Sequence, residues 1–110
     1  LRKTTFHYIE DILRDYPQTE SYIRDELKKE DMTIIRDRSL RLLREHENVV
    51  EWTLKESDND TKSIIEELYF KHNPVLTITG VALQLHVSRT VASRKRKRFF
   101  EQVAKRLGIR

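Results

Sequence analysis

Residues 78–98 read ITGVALQLHVSRTVASRKRKR, and their pattern decides the fold. Ile78, Val81, Ala82 and Leu85 stand at i, i+3, i+4 and i+7, a complete apolar stripe for a short helix that Thr77 is placed to cap. Ala82 is small, as two crossing helices require where they approach closely. Leu85 and Val87 bracket a turn and face inward, Ser88 opens a second helix as its N-cap, and Val91 with Ala92 anchors that helix on the first. Together with Phe99 these residues make the core of a helix-turn-helix. A short rigid scaffold of this kind can hold the N-terminal half of its second helix in the major groove of duplex DNA.

The second helix is expected from Arg89 to about Leu107, with Gly108 ending it. If Ala92 marks the core direction on a helical wheel, Phe99, Val103 and Leu107 cluster near it. The opposite face carries Thr90, Arg94, Lys97, Glu101 and Lys105, with Ser93 and Arg98 on its shoulders and Arg89 at the start. Arginine can donate a bidentate pair to guanine, and lysine and serine serve phosphates or bases. The candidate DNA contacts are therefore Ser88, Arg89, Thr90, Ser93, Arg94, Lys97 and Arg98. The run Arg94 to Arg98 encircles the helix, so Lys95 and Arg96 fall towards the apolar side and must snorkel.

The charge balance agrees. The whole chain is +4, but residues 89–110 hold nine Lys/Arg and one acid, Glu101, which makes them +8 and leaves −4 for residues 1–88. A basic run is usually a solvated helix face. Here the run coincides with the helix-turn-helix pattern, and segregation of this kind is the footprint of a polyanion partner.

Upstream, the pattern stays helical. Two glycines and two prolines in 110 residues are too few for the turns a sheet protein needs. Phe6, Ile9, Leu13 and Tyr16 mark a helix over Thr5–Asp15, which Pro17 ends. A second, short helix is expected over Thr19–Glu30 with Tyr22, Ile23 and Leu27 on one side. The longest periodic segment is Thr33–Glu56, where Ile35, Leu42 and Val49 recur every seven residues. That row and Trp52 are read as core in preference to a self-association seam, since three heptads barely reach coiled-coil length. Residues 57–60 break the helix and can cap the next one, expected over Thr61–His72 and stopped by Asn73-Pro74. The expected fold is thus an all-α multi-helix domain, with N-terminal helices over residues 1–56 and a DNA-binding part over 57–110.

The string Leu68-Tyr69-Phe70, the helix with Val81-Ala82 and Leu85, then Val87-Ser88, a basic helix and Leu107-Gly108 resemble the phage transcriptional regulators of the RinA/ArpU type. Their C-terminal half is similar in turn to region four of bacterial sigma factors. Asp15-Tyr16-Pro17 and the long middle helix fit too, so the resemblance spans most of the chain. It implies a phage or prophage source, a transcription-activating role and a sigma-region-four-like arrangement of the last helices. Two positions depart from the pattern: His86, where such turns usually carry glycine, and Lys95, where an aliphatic core residue is usual.

Other chemistry finds no support. His7, His46, His72 and His86 form no short-spaced ligand pair, and there is no cysteine, hence no disulfide or thiolate metal site. Asp58-Asn59-Asp60 begins like a calcium loop, but Ser63 and Tyr69 occupy the positions that need Gly and Glu. No glycine-rich phosphate loop or nucleophile elbow is present, so neither enzyme nor cofactor is expected. No stretch is apolar enough to span a membrane or act as a signal peptide, which points to the cytoplasm. Three readings compete: a sequence-specific regulator of transcription, a DNA-capture subunit like the small terminase of phages, and a sigma-like module that acts mainly by contacting RNA polymerase. The expected partner is double-stranded DNA, with RNA polymerase or a second copy bound through the long helix as further candidates.

Overall fold

In a computed structural model, described over residues 1–29 and 33–109, the chain is all-α. Helix α1 spans Lys3–Asp15, and a 3-10 turn at Tyr16–Gln18 carries Pro17 into α2, Thr19–Leu27. The expected end of α2 at Glu30 lies outside the described residues. Then come α3, Thr33–Glu56, and α4, Asn59–Ile65, followed by α5, Ile78–Gln84, and α6, Arg89–Leu107. The helix expected to run on from Thr61 instead widens at Glu66–Phe70 into a π-helical turn. Its consecutive rings both find partners there: Tyr69 lies 5.8 Å from Phe100, and Phe70 stacks on Tyr16 at 5.0 Å.

Among the described residues, two apolar clusters hold the helices. The larger joins Ile9, Ile12 and Leu13 of α1, Val50 of α3, Ile65, Tyr69, and Phe99, Phe100, Val103 and Ala104 of α6. Residues from both the 1–56 and the 57–110 segments thus build one core. The smaller joins Ile64, Val81, Ala82 and Ala92, with Leu76, Ile78, Leu85 and Val87 packed on it. Burying side chains of this size contributes about 1.5–3 kcal/mol each.

The Thr53 and Tyr69 hydroxyls are paired inside the core, whereas the buried Arg36 Nε has no hydrogen-bond partner among the described residues. The Tyr69 hydroxyl donates to Glu10 Oε2 at 2.9 Å, and Thr53 Oγ1 donates to the Val49 carbonyl at 2.7 Å while accepting from Arg106 Nη1 at 2.8 Å. Burial is the main reason that the Tyr69 hydroxyl is pushed far above the ordinary tyrosine pKa.

The molecule is elongated, 50 × 27 × 24 Å, with a radius of gyration of 15.3 Å. A compact domain of this length would have about 13 Å. The distal half of α3 accounts for the difference: it pairs with α2 as an arm, and no residue from Ile34 to Asn48 is buried. The core role expected for Ile35, Leu42 and Trp52 therefore fails, since they are 53%, 49% and 58% exposed. Of that set only Val49 packs on the larger cluster. The reason is coverage: α2 is short and shields one flank of α3, where Ile23 is buried, and the other flank stays open.

Candidate nucleic-acid interface

The site is built on α5, a four-residue turn and α6. Thr77 Oγ1 accepts the Gly80 N–H at 3.2 Å and caps α5. At the other end the His86 N–H bonds the Leu83 carbonyl at 3.3 Å, and the Val87 N–H bonds the Ala82 carbonyl at 3.0 Å. This is a Schellman closure, in which the residue after the C-cap takes the left-handed conformation. His86 does so with φ 57°, where glycine would be free of the Cβ penalty. Val87 then folds back onto the Ala82 cluster, which sets the direction in which the chain leaves. Ser88 Oγ accepts the Val91 N–H at 3.1 Å and starts α6. The far end of α6 repeats the device: Gly108 has φ 72°, and the Ile109 N–H bonds the Ala104 carbonyl at 3.0 Å.

Of the expected core, Val81, Ala82 and Ala92 are buried in the smaller cluster, and Ile78, Leu85 and Val87 line it. Phe99 is buried too, but in the larger cluster beside Phe100. Val91 is half-buried and faces a cleft of about 620 Å³ between α6 and the residues around Asp58. The wheel missed Phe100 and Ala104. Phe100 is fully buried because α1 covers that flank of α6, with the Phe6 ring 4.6 Å from it.

The expected DNA-contacting residues Ser88, Arg89, Thr90, Arg94, Lys97 and Arg98 are exposed, and Ser93 is half-buried. The basic residues of α6 divide into two groups. Lys95 Nζ meets Asp58 Oδ2 at 2.8 Å, Arg106 pairs with Glu56, and the Arg96 guanidinium lies 5.2 Å from the Phe6 ring centroid. These three tie α6 to the rest of the fold. Lys95 thereby satisfies its charge where an aliphatic residue was expected. Its ammonium, followed by the Thr61 N–H at 2.7 Å, holds the Asp58 carboxyl down to about 2. The second group, Arg89, Arg94, Lys97, Arg98 and Lys105, makes no ion pair among the described residues, and all five are exposed.

Four of those five, Arg94, Lys97, Arg98 and Lys105, share one arc of α6 with Thr90 and the single acid Glu101. Arg94 and Arg98, one turn apart, also border the cleft. No family model, curated protein or solved structure matches this chain.

Among the described residues, no group of three His, Cys, Asp or Glu side chains could hold a metal ion. His46 shares a hydrogen bond with the Tyr8 hydroxyl at 3.2 Å, and burial pushes its pKa down. No helix among the described residues is long and apolar enough to cross a membrane.

Proposed function

We infer that this protein binds duplex DNA, docking the exposed face of α6 in the major groove and acting as a transcriptional regulator. The observation that carries the reading is the division of the α6 cations. Cations that meet a carboxylate or ring hold the fold together, while Arg89, Arg94, Lys97, Arg98 and Lys105 are left unneutralised on the solvent side. Such a face repels itself and gains most from a polyanion. The two caps and the Schellman turn hold α6 rigidly against α5, so the ordering cost on binding is small. The resemblance to phage regulators of the RinA/ArpU type points the same way.

Arg94 and Arg98 have the fork geometry for guanine, Thr90 and Ser93 can reach bases or phosphates, and Arg89, Lys97 and Lys105 suit phosphates. If about five phosphates are neutralised, the logarithm of affinity should fall with the logarithm of salt at a slope near −4.5. Titrating labelled duplexes across a salt series measures it. A salt-independent affinity, or no binding to any duplex at low salt, overturns the reading.

A further inference from the structure

We propose that the open flank of α3 is a homodimer seam on which a second copy of this chain lies antiparallel, about a two-fold axis near Leu42. The proposal goes beyond DNA binding and stands without it. The surface is largely uncovered, with Leu42 at its edge beside the groove between α2 and α3. Ile34, Ile35, Leu42 and Trp52 are 71%, 53%, 49% and 58% exposed along one helix. Ile35, Leu42 and Val49 hold one position of a seven-residue repeat, and Arg38, Glu45 and Trp52 hold the position three residues on. These six are the seam positions of a helical pair. Val50, fully buried, lies about 80° round the helix from Leu42, and Thr53, buried at the proximal end, marks where the core begins to cover this face. A long helix draws most of its stability from packing one apolar face, which the distal half of α3 does not achieve within one chain.

Charge selects both the occupant and its direction. Arg38 and Glu45 make no ion pair among the described residues. A parallel copy would set Arg38 against Arg38 and Glu45 against Glu45 in the seam. An antiparallel copy reverses this. At a rise of about 1.5 Å per residue, Arg38 lies about 6 Å to one side of the axis and Glu45 about 4.5 Å to the other. The two-fold therefore brings each Arg38 level with the partner's Glu45, twice over, and Arg41 beside the axis adds a second cation near that carboxylate. The same operation sets Leu42 against Leu42 on the axis, and Ile35, about 10.5 Å from it, against the side of the half-buried Val49 that the larger cluster leaves uncovered. Trp52 reaches the opposite Ile34–Ile35 end. A surface complementary to its own two-fold image is the mark of an isologous interface.

The chain contains no cysteine, so engineered cysteines report the geometry directly. At about 100 µM the mass in solution should be twice that of one chain, and Leu42→Glu should raise the dissociation constant about tenfold or more. Under mild oxidation Leu42→Cys should cross-link to itself and Ile35→Cys should not, while the Ile35→Cys/Val49→Cys double variant should. Emission from Trp52, the lone tryptophan, should shift to the blue as concentration rises. Should Leu42→Glu fail to fold, Arg38→Glu should separate the copies and adding Glu45→Arg should restore them. A monomeric mass at every concentration overturns the proposal. Self-cross-linking of Ile35→Cys would show a parallel pair, and a doubled mass without Leu42→Cys cross-linking would put the interface elsewhere; either also overturns it.

Discussion

The two oxygens of Asp58 have separate partners, so substitution can separate their effects. Oδ1 accepts the Thr61 N–H at 2.7 Å and caps α4, while Oδ2 accepts from Lys95 at 2.8 Å and links α4 to α6. Asp58→Asn keeps a good cap and loses the ion pair. Asp58→Ala loses both. A lost cap costs about 1 kcal/mol and an exposed ion pair up to about 1 kcal/mol. The alanine variant should therefore lose about 1–2 kcal/mol and the asparagine variant less than about 1 kcal/mol. Lys95→Met should match Asp58→Asn, because the aliphatic stem keeps its packing.

The carboxyl is held down from 3.8 to about 2, so the unfolded chain binds the proton first as pH falls. Stability from this group is complete above about pH 4 and disappears as pH falls towards 2. The side chain is 56% exposed, so solvent screening limits the pH-dependent part to about 1 kcal/mol. Urea unfolding of the wild type and the three variants at neutral pH, then of wild type and Asp58→Asn between pH 5 and 2, measures these differences. Equal losses for Asn and Ala would remove the cap from the account. A gap between wild type and Asp58→Asn that stays constant down to pH 2 would remove the ion pair.

Arg94→Ala should cost about 1–3 kcal/mol on a cognate duplex and relax preference at one base pair, whereas Lys105→Ala, three turns further along, should weaken cognate and scrambled duplexes alike. Paired affinities test this, and equal losses for Arg94→Ala on both duplexes would make it a phosphate contact only. Ala82, 2% exposed beside the fully buried Ile64, Val81 and Ala92, should tolerate no carboxylate. Ala82→Glu should lower stability by several kcal/mol in thermal melts, and an unchanged midpoint would contradict the packing of α5 on α6. His86→Gly removes the Cβ from a left-handed turn residue at φ 57° and should stabilise by about 0.5 kcal/mol, after the greater freedom of glycine in the unfolded chain is set against the strain. His86→Ala, which keeps the Cβ, should give no such gain in chemical denaturation.

Local signals placed most of the helices, but the one expected over Thr61–His72 begins at Asn59 and turns π-helical at Glu66–Phe70. The stripe Ile78, Val81, Ala82, Leu85, the caps Thr77, Ser88 and Gly108, and a cap somewhere within residues 57–60 are readable in sequence because each acts within about one helical turn. The same locality made the outward arc of α6 legible, since a wheel needs only the direction of Ala92. Tertiary packing decided what lies beyond that reach. Phe100 is core because α1, more than 80 residues earlier in the chain, covers it. Lys95 is tolerated on the inner flank because Asp58 comes to meet it across 37 positions. Ile35, Leu42 and Trp52 have the spacing of core residues but stand open, since periodicity records which side of a helix is apolar and not whether anything covers it. Which α6 cations are free was likewise undecidable from the run Arg94 to Arg98, because neutralisation depends on carboxylates and rings that only the folded chain brings alongside.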